Sequence, residues 1–313
     1  MKHAYVFPGQ GAQAVGMGKD LYDNVPEAKA LFEQANEILG FRITDIMFAG
    51  TDEELKQTKV TQPAVFLHSV IMAKALGVKP DAAAGHSLGE FSALVVAGAL
   101  SFEDGLKLVS KRAMAMQAAC EAQPGTMAAI LGLEDHVVEE ICASVDGIVV
   151  AANYNCPGQL VIGGEKAAVD KAAELAKQAG ARRCIPLKVS GPFHTRLMAP
   201  AGDALAKRFA SESFGEMQVP VLFNCLGREK AEQDSIPALL VKQVQSSVYM
   251  EDTLRRLGEL GVDHILEVGP GSALAGFVKK TLPGVVCASV ETPEQLNAML
   301  SGGTVPGMAA ASA

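Results

Sequence analysis

Residues 85–89, Gly-His-Ser-Leu-Gly, constrain the fold of this 313-residue chain more than any other short stretch. The pattern G-x-S-x-G is typical of a nucleophile elbow, in which a serine occupies a sharp turn between a strand and a helix. Small residues at 81–84 and an apolar run at 91–97 flank it, as a crowded central strand and a buried helix would. Ordinary turns also match this pattern, so a catalytic Ser87 further requires a base and an oxyanion hole elsewhere in the chain.

Strand-like and helical segments alternate along most of the chain, which is typical of an α/β fold. Strands are predicted at 3–7, 81–84, 220–225, 262–269 and 285–290, and a long apolar helix from Thr61 to Leu76. Such repeated units predict a large α/β-hydrolase-like domain with a parallel sheet and a site at the carboxyl ends of its strands. The loops that follow three of these strands, at 8–11, 85–89 and 267–271, are therefore expected to converge on one edge.

A smaller subdomain is predicted within this larger domain. Residues 123–190 have the element order βαββαβ, which is typical of a ferredoxin-like α+β unit. The large domain would then consist of 1–122 and 191–313, and the Gly-, Ala- and Ser-rich segment 301–313 is expected to be a disordered tail.

Composition excludes several classes of protein. The formal net charge of −8 argues against nucleic-acid binding, and no apolar run approaches the roughly 20 residues that span a bilayer. The six cysteines occur singly, without a C-x-x-C pair or zinc-type spacing, which favours reduced thiols in a cytoplasmic protein and no bound metal. A monomer is expected.

His194 is the best candidate for the base. It lies in a loop flanked by Gly and Pro, where catalytic residues often occur. The other histidines are weaker candidates, because they lie on strand or helix patterns or directly beside the serine: His3, His68, His86, His136 and His264. We expect His68, inside an apolar helix, to be packed and hydrogen-bonded.

Arg112 borders the apolar stripe of a helix predicted to end near Ala122. It could be a boundary residue with its stem packed and its head in water. Alternatively, its guanidinium could point into a pocket and bind a carboxylate through two hydrogen bonds.

Five motifs occur in the order and approximate spacing found in malonyl-CoA:acyl carrier protein transacylases, and the chain resembles this family nearly end to end. The motifs are Phe-Pro-Gly-Gln-Gly at 7–11, Gly-His-Ser-Leu-Gly-Glu at 85–90, Asn-Tyr-Asn-Cys-Pro-Gly-Gln at 153–159, Gly-Pro-Phe-His at 191–194 and Glu-Val-Gly-Pro-Gly at 267–271. Five motifs in order are far more specific than any one of them.

The resemblance implies a catalytic set built on a Ser-His dyad. Ser87 is implied to be the acylated nucleophile, and His194 the general base and then the general acid. The backbone amides of Gln10 and Leu88 are implied to form the oxyanion hole, and the main-chain carbonyl of Gln243 to orient the histidine.

The resemblance also implies the substrates. Arg112 matches the arginine that binds the malonyl carboxylate, and Phe193 is compatible with a malonyl-selective pocket. Malonyl-CoA and an acyl carrier protein are the implied partners in a ping-pong reaction of fatty-acid synthesis that needs no cofactor. The chain departs from many relatives at Ser246-Ser247, where they have Ser-Pro, which leaves that turn less certain.

Two other functions remain open at this point. A serine thioesterase or esterase could use the same dyad with water as the second nucleophile. A non-catalytic acyl-binding subunit is disfavoured by the intact Ser87, His194 and Arg112. Basic candidates for docking an acidic carrier protein are Arg182, Arg183, Lys188, Lys279 and Lys280, although each could equally be solvated surface charge.

Overall fold

The computed structural model describes residues 1–189 and 191–301 as two compact units. The first contains 1–113, 214–222 and the described residues from 254 onward, and the second contains 114–213 and 223–253. The segment 301–313, predicted to be a disordered tail, lies outside the described residues except for its first residue. No helix in the described part of the chain combines the length and hydrophobicity of a membrane span.

The strands in chain order are β1 (His3–Phe7), β2 (Ala82–Gly85), β3 (Thr126–Leu131), β4 (Val149–Cys156), β5 (Gln159–Gly164), β6 (Arg183–Pro186), β7 (Val221–Phe223), β8 (Arg228–Glu229), β9 (Val248–Tyr249), β10 (His264–Val268) and β11 (Val286–Val290). The helices are α1 (Lys19–Asn24), α2 (Pro26–Leu39), α3 (Ile43–Ala49), α4 (Asp52–Lys56), α5 (Thr58–Leu76), α6 (Gly89–Val96), α7 (Phe102–Ala122), α8 (Asp135–Ser144), α9 (Lys166–Gln178), α10 (Ala199–Phe209), α11 (Ile236–Gln243), α12 (Met250–Glu259), α13 (Ala273–Thr281) and α14 (Pro293–Leu300). A 3₁₀ turn at Arg196–Met198 precedes α10.

A parallel sheet forms the centre of the first unit, with its strands in the order β11-β10-β1-β2-β7. The chain is buried along β1 after His3 and along all of β2, whose alanines fit a strand crowded on both faces. Because β10, β1 and β2 are adjacent and parallel, the loops that follow them begin at the same edge. This confirms the expected convergence of the segments 8–11, 85–89 and 267–271.

Helix α5 is buried along most of its length. Every residue from Val60 to Ala73 is buried, because apolar side chains occur on all sides of the helix. The helix begins at Thr58, so the predicted start at Thr61 was wrong. Proline is common in the first turn of a helix, but Pro63 lies one turn further in.

The second unit contains a five-stranded sheet in the order β6-β3-β5-β4-β9. Strands β6, β3, β5 and β4 pair antiparallel, and the short β9 adds to β4 in parallel. Helices α8 and α9 bury Val138 and Val169 against a cluster that includes Ile130 and Leu160.

This second unit is larger than the predicted insert at 123–190. Pairing of Asn153 and Tyr154 with Val248 and Tyr249 brings the segment 223–253 into it. The element order βαββαβ agrees with the one predicted from the sequence, and its last strand, β6, spans only Arg183–Pro186.

Candidate active site

Ser87 lies at a sharp turn that leaves no room for a side chain at position 85 or 89. Strand β2 ends at Gly85 and α6 begins at Gly89, and a Cβ on Gly85 would overlap the backbone of Gly89. Ser87 adopts a φ of 54°, in the left-handed region, which costs a non-glycine residue about 1–2 kcal/mol. Close packing of the two arms thus imposes a strained backbone on the serine, as in a nucleophile elbow.

The segment after β1 lies against this elbow. The amide of His86 donates to the carbonyl of Phe7 at 2.9 Å. A Cβ on Gly9 would overlap the carbonyl oxygen of His86 and lie 3.6 Å from the amide nitrogen of Leu88. The backbone at Gly9, next to Gln10, therefore lies beside the Leu88 amide, and the role of these two amides as oxyanion-hole donors stays a prediction.

Arg112 reaches Ser87 from α7. Its side chain is 1 % exposed, and its Nη2 donates to Ser87 Oγ at 3.1 Å. Its Nη1 donates to Gln62 Oε1 at 2.7 Å, and its Cζ lies 5.6 Å from the centre of the Phe91 ring. The interpretation of Arg112 as a boundary residue with its head in water is wrong, because the guanidinium is buried beside the serine.

The charge of Arg112 persists despite its burial. Desolvation lowers the pKa of the guanidinium to about 10, and the nearby charge of Glu90 opposes that shift. The group is therefore protonated at neutral pH. A buried cation next to the Ser87 hydroxyl could bind the carboxylate of an acyl group held there.

The loop after β10 completes this edge of the sheet. A Cβ on Gly269 would overlap Ser69 Oγ and would lie 3.0 Å from Pro8, so the two loops are in close contact. Glu267, fully buried at the end of β10, accepts a hydrogen bond from the Ala275 amide at 2.9 Å. Burial raises the pKa of its carboxyl to about 7, although backbone hydrogen bonds oppose the shift.

His194 is held by the second unit. It is 4 % exposed, and its φ of 60° makes it, with Ser87, one of two non-glycine residues with positive φ in the described chain. Its Nδ1 lies 2.8 Å from the carbonyl oxygen of Gln243. Because a carbonyl can only accept, Nδ1 carries the proton and Nε2 is the basic nitrogen.

The partners of His194 are themselves fixed. Gln243 is fully buried, and its Nε2 donates to Asn224 Oδ1 at 3.3 Å. In the histidine loop, Thr195 Oγ1 donates to the carbonyl of Pro192 at 2.7 Å. A Cβ on Gly191 would overlap Cys120 Sγ, so the loop lies directly on α7.

The predicted site residues thus fall into two groups. Gln10, Ser87, Leu88 and Arg112 belong to the first unit, and Phe193, His194 and Gln243 belong to the second. The structure places Arg112 on Ser87 and the Gln243 carbonyl on His194. Phe193 is buried. The pairing of Ser87 with His194 stays a prediction.

Sequence reasoning missed Gln62 and Glu90 as neighbours of Arg112. Gln62 lies within an apolar helix far from Arg112 in the sequence, and no local signal marks it. His68 is packed as expected, because it is 2 % exposed and its Nε2 donates to the Glu291 carbonyl at 3.1 Å. Within residues 1–189 and 191–301, no three His, Cys, Asp or Glu side chains form a group that could hold a metal ion.

Comparison with known proteins identifies the family of the chain. The acyl transferase domain family matches residues 4–297. The malonyl CoA-acyl carrier protein transacylase of Bacillus subtilis is 43% identical over 301 residues, which cover 94% of this chain and 95% of that protein. The protein of the same name from Staphylococcus aureus is 41% identical and covers 94% of this chain and 97% of its own length.

Solved structures agree with this assignment. The MCAT of Streptococcus pneumoniae is 42% identical with a TM-score of 0.90, over 96% of this chain and 100% of that one. A malonyl-transacylase in complex with a type II PKS acyl-carrier protein is 38% identical with a TM-score of 0.93, over 96% of this chain and 100% of that one. The chain therefore belongs to the acyl transferase domain family and, within it, to the malonyl CoA-acyl carrier protein transacylases.

Proposed function

We propose that this enzyme transfers the malonyl group of malonyl-CoA to the phosphopantetheine thiol of an acyl carrier protein through a malonyl-Ser87 intermediate. One observation carries the proposal: the buried guanidinium of Arg112 donates to the Oγ of the elbow serine. An anion anchor at hydrogen-bond distance from a nucleophile suits an acyl group with a free carboxylate at its far end.

The first half of the reaction acylates Ser87. In this proposal, His194 Nε2 takes the hydroxyl proton as Oγ attacks the thioester carbonyl. The amides of Gln10 and Leu88 hold the resulting oxyanion, and each lowers the barrier by about 3 kcal/mol. The C–S bond then breaks, and the CoA thiolate leaves with the proton that His194 returns.

The second half repeats these steps with the carrier's thiol. His194 deprotonates the phosphopantetheine thiol, which attacks the malonyl ester, and Ser87 regains its proton from the imidazolium. The carbonyl of Gln243 orients His194 in place of the acidic residue of a Ser-His-Asp triad. The thioester supplies the driving force, so the proposed cycle uses no cofactor.

Arg112 and Phe193 account for the choice of acyl group in this proposal. A malonyl carboxylate pairs with the buried guanidinium, whereas an acetyl group would leave that charge without the substrate anion. Phe193 limits the size of the acyl group.

We also propose a more specific fold for each of the two domains. The order β6-β3-β5-β4 and the succession βαββαβ support a ferredoxin-like subdomain at 123–190. It would be inserted in an α/β-hydrolase-like domain of 1–122 and 191–313. We also propose a monomer that works in the cytoplasm with its six cysteines as thiols.

Release of CoA from malonyl-CoA tests transfer against hydrolysis. The proposal predicts a burst of about one CoA per enzyme without an acceptor, and steady release once holo-acyl carrier protein is added. Sustained release without the carrier protein would overturn the transferase and favour a serine thioesterase.

A further inference from the structure

Gln62 is a polar side chain in the largely apolar, buried helix α5. It lies in the second turn of α5, is fully buried, and is followed by the buried residues Pro63, Val65 and Phe66. A buried amide requires hydrogen-bond partners, and Gln62 uses its Oε1 to accept from Arg112 Nη1 at 2.7 Å. This hydrogen bond joins Gln62 to the proposed anion anchor.

The guanidinium of Arg112 is oriented from three directions. Nη1 is bound to Gln62 and Nη2 to Ser87, while the Phe91 ring lies 5.6 Å from Cζ. A guanidinium is a rigid planar fork, so fixing one terminal nitrogen fixes the plane in which the others donate. Gln62 thereby sets the direction from which a carboxylate can bind near Ser87.

The absence of charge on the Gln62 amide is as important for substrate binding as its hydrogen bond. A glutamate at this position could accept the same bond, but it would place a second carboxylate beside the guanidinium, which already feels the charge of Glu90. That carboxylate would compete with the anionic substrate for Arg112. An amide orients the guanidinium and leaves its charge available.

We propose that Gln62 is a positioning and specificity-determining residue, which orients Arg112 through a neutral hydrogen bond and reserves its charge for the carboxylate of the acyl group. This inference rests on the proposed malonyl transfer. It assigns the selectivity of the enzyme to α5 as well as to the arginine itself.

The test compares Gln62→Glu, which is nearly isosteric, with Gln62→Leu. Gln62→Leu removes the hydrogen bond to Arg112, and Gln62→Glu adds a carboxylate that competes with the substrate for it. In both variants kcat/KM for malonyl-CoA should fall by about tenfold to a hundredfold. In Gln62→Glu the fall should appear mainly as a raised KM, because the introduced carboxylate competes with substrate binding. Transfer from acetyl-CoA should change less than about threefold, because that substrate does not use the anchor.

A second readout separates positioning from folding. Phenylmethylsulfonyl fluoride, a neutral reagent, should modify Ser87 at similar rates in wild type and both variants. Free malonate should slow this labelling in wild type and lose that effect in Gln62→Glu. Gln117→Leu makes a matched change on α7, where the side-chain Nε2 donates to Glu121 at 3.4 Å, and should behave like wild type.

Equal losses for malonyl- and acetyl-CoA, or retained malonate protection in Gln62→Glu, would overturn the inference. A wild-type enzyme that forms no malonyl-Ser87 would instead overturn the proposed function. The two failures can be told apart, because the first is seen only when the wild-type enzyme transfers malonyl groups, and the second only when it does not.

Discussion

Replacing Arg112 should separate malonyl transfer from acetyl transfer. Arg112 is buried, donates to Ser87 and Gln62, and lies near the carboxylate of Glu90. Truncation to alanine would leave buried polar partners behind and would cost about 3–5 kcal/mol of stability. Arg112→Met leaves the same polar groups without the arginine, but it is the better perturbation because its unbranched side chain fills most of the space that alanine would leave empty.

The magnitude follows from the bonds that the guanidinium offers. A hydrogen bond to a charged group contributes about 1.5–3 kcal/mol, and a malonyl carboxylate can accept two from the fork. Each 1.4 kcal/mol is about a factor of ten, so kcat/KM for malonyl-CoA should fall by about a hundredfold to several thousandfold in Arg112→Met. Acetyl transfer loses only the contact between the guanidinium and Ser87 Oγ and should fall by about tenfold or less.

The assay measures transfer to holo-acyl carrier protein from both thioesters, after thermal unfolding has shown that the variant is folded. Arg112→Lys serves as the control, because it keeps the charge but not the planar fork and should fall between wild type and Arg112→Met. Equal proportional losses for malonyl- and acetyl-CoA would refute the reasoning and make Arg112 a structural residue.

Three further predictions concern strain, burial and pH. Ser87→Gly should be more stable than Ser87→Ala by about 1 kcal/mol in urea unfolding, because glycine accepts a φ of 54° without strain; equal stabilities would show that the turn is relaxed. Asn224→Leu removes the oxygen that accepts from the buried Gln243 Nε2, and the unfolding free energy should fall by about 1–3 kcal/mol; an unchanged urea midpoint would contradict this. Burial raises the pKa of Glu267 from its ordinary 4.5 to about 7, so between these pH values the folded protein holds a proton that the unfolded chain has lost, and stability falls as pH rises. In wild type this shift should lower the unfolding free energy, measured with urea, by a few kcal/mol between pH 5 and pH 8, and Glu267→Gln should remove that part of the difference. A variant whose unfolding free energy changes with pH as in wild type would contradict the assignment.

Local patterns in the sequence were sufficient for much of the fold. The elbow at 85–89 was predictable because its glycines and its flanking small and apolar residues act over a few positions. Residues 51–54, Thr-Asp-Glu-Glu, have the equally local pattern of a capping box, and the structure shows both of its hydrogen bonds. The convergence of three loops followed from the rule that parallel strands end at one edge.

The remaining features depend on contacts between distant parts of the chain. Gln62 and Arg112 are far apart in the sequence, and only the packing of α5 near α7 brings their side chains together. The two-residue strand β9 is too short to leave a pattern, yet its pairing with β4 sets the extent of the second unit. The positive φ of His194 likewise comes from its surroundings, since the flanking Gly and Pro indicate a loop but not its conformation.

The central claim is that Ser87 carries the malonyl group between two thiols. Intact-mass spectrometry after incubation with malonyl-CoA, without a carrier protein, tests it directly. We expect one malonyl adduct per chain, located on the peptide that contains Ser87, absent from Ser87→Ala and discharged when holo-acyl carrier protein is added. An adduct that persists in Ser87→Ala, or one that the carrier protein does not remove, would contradict the account.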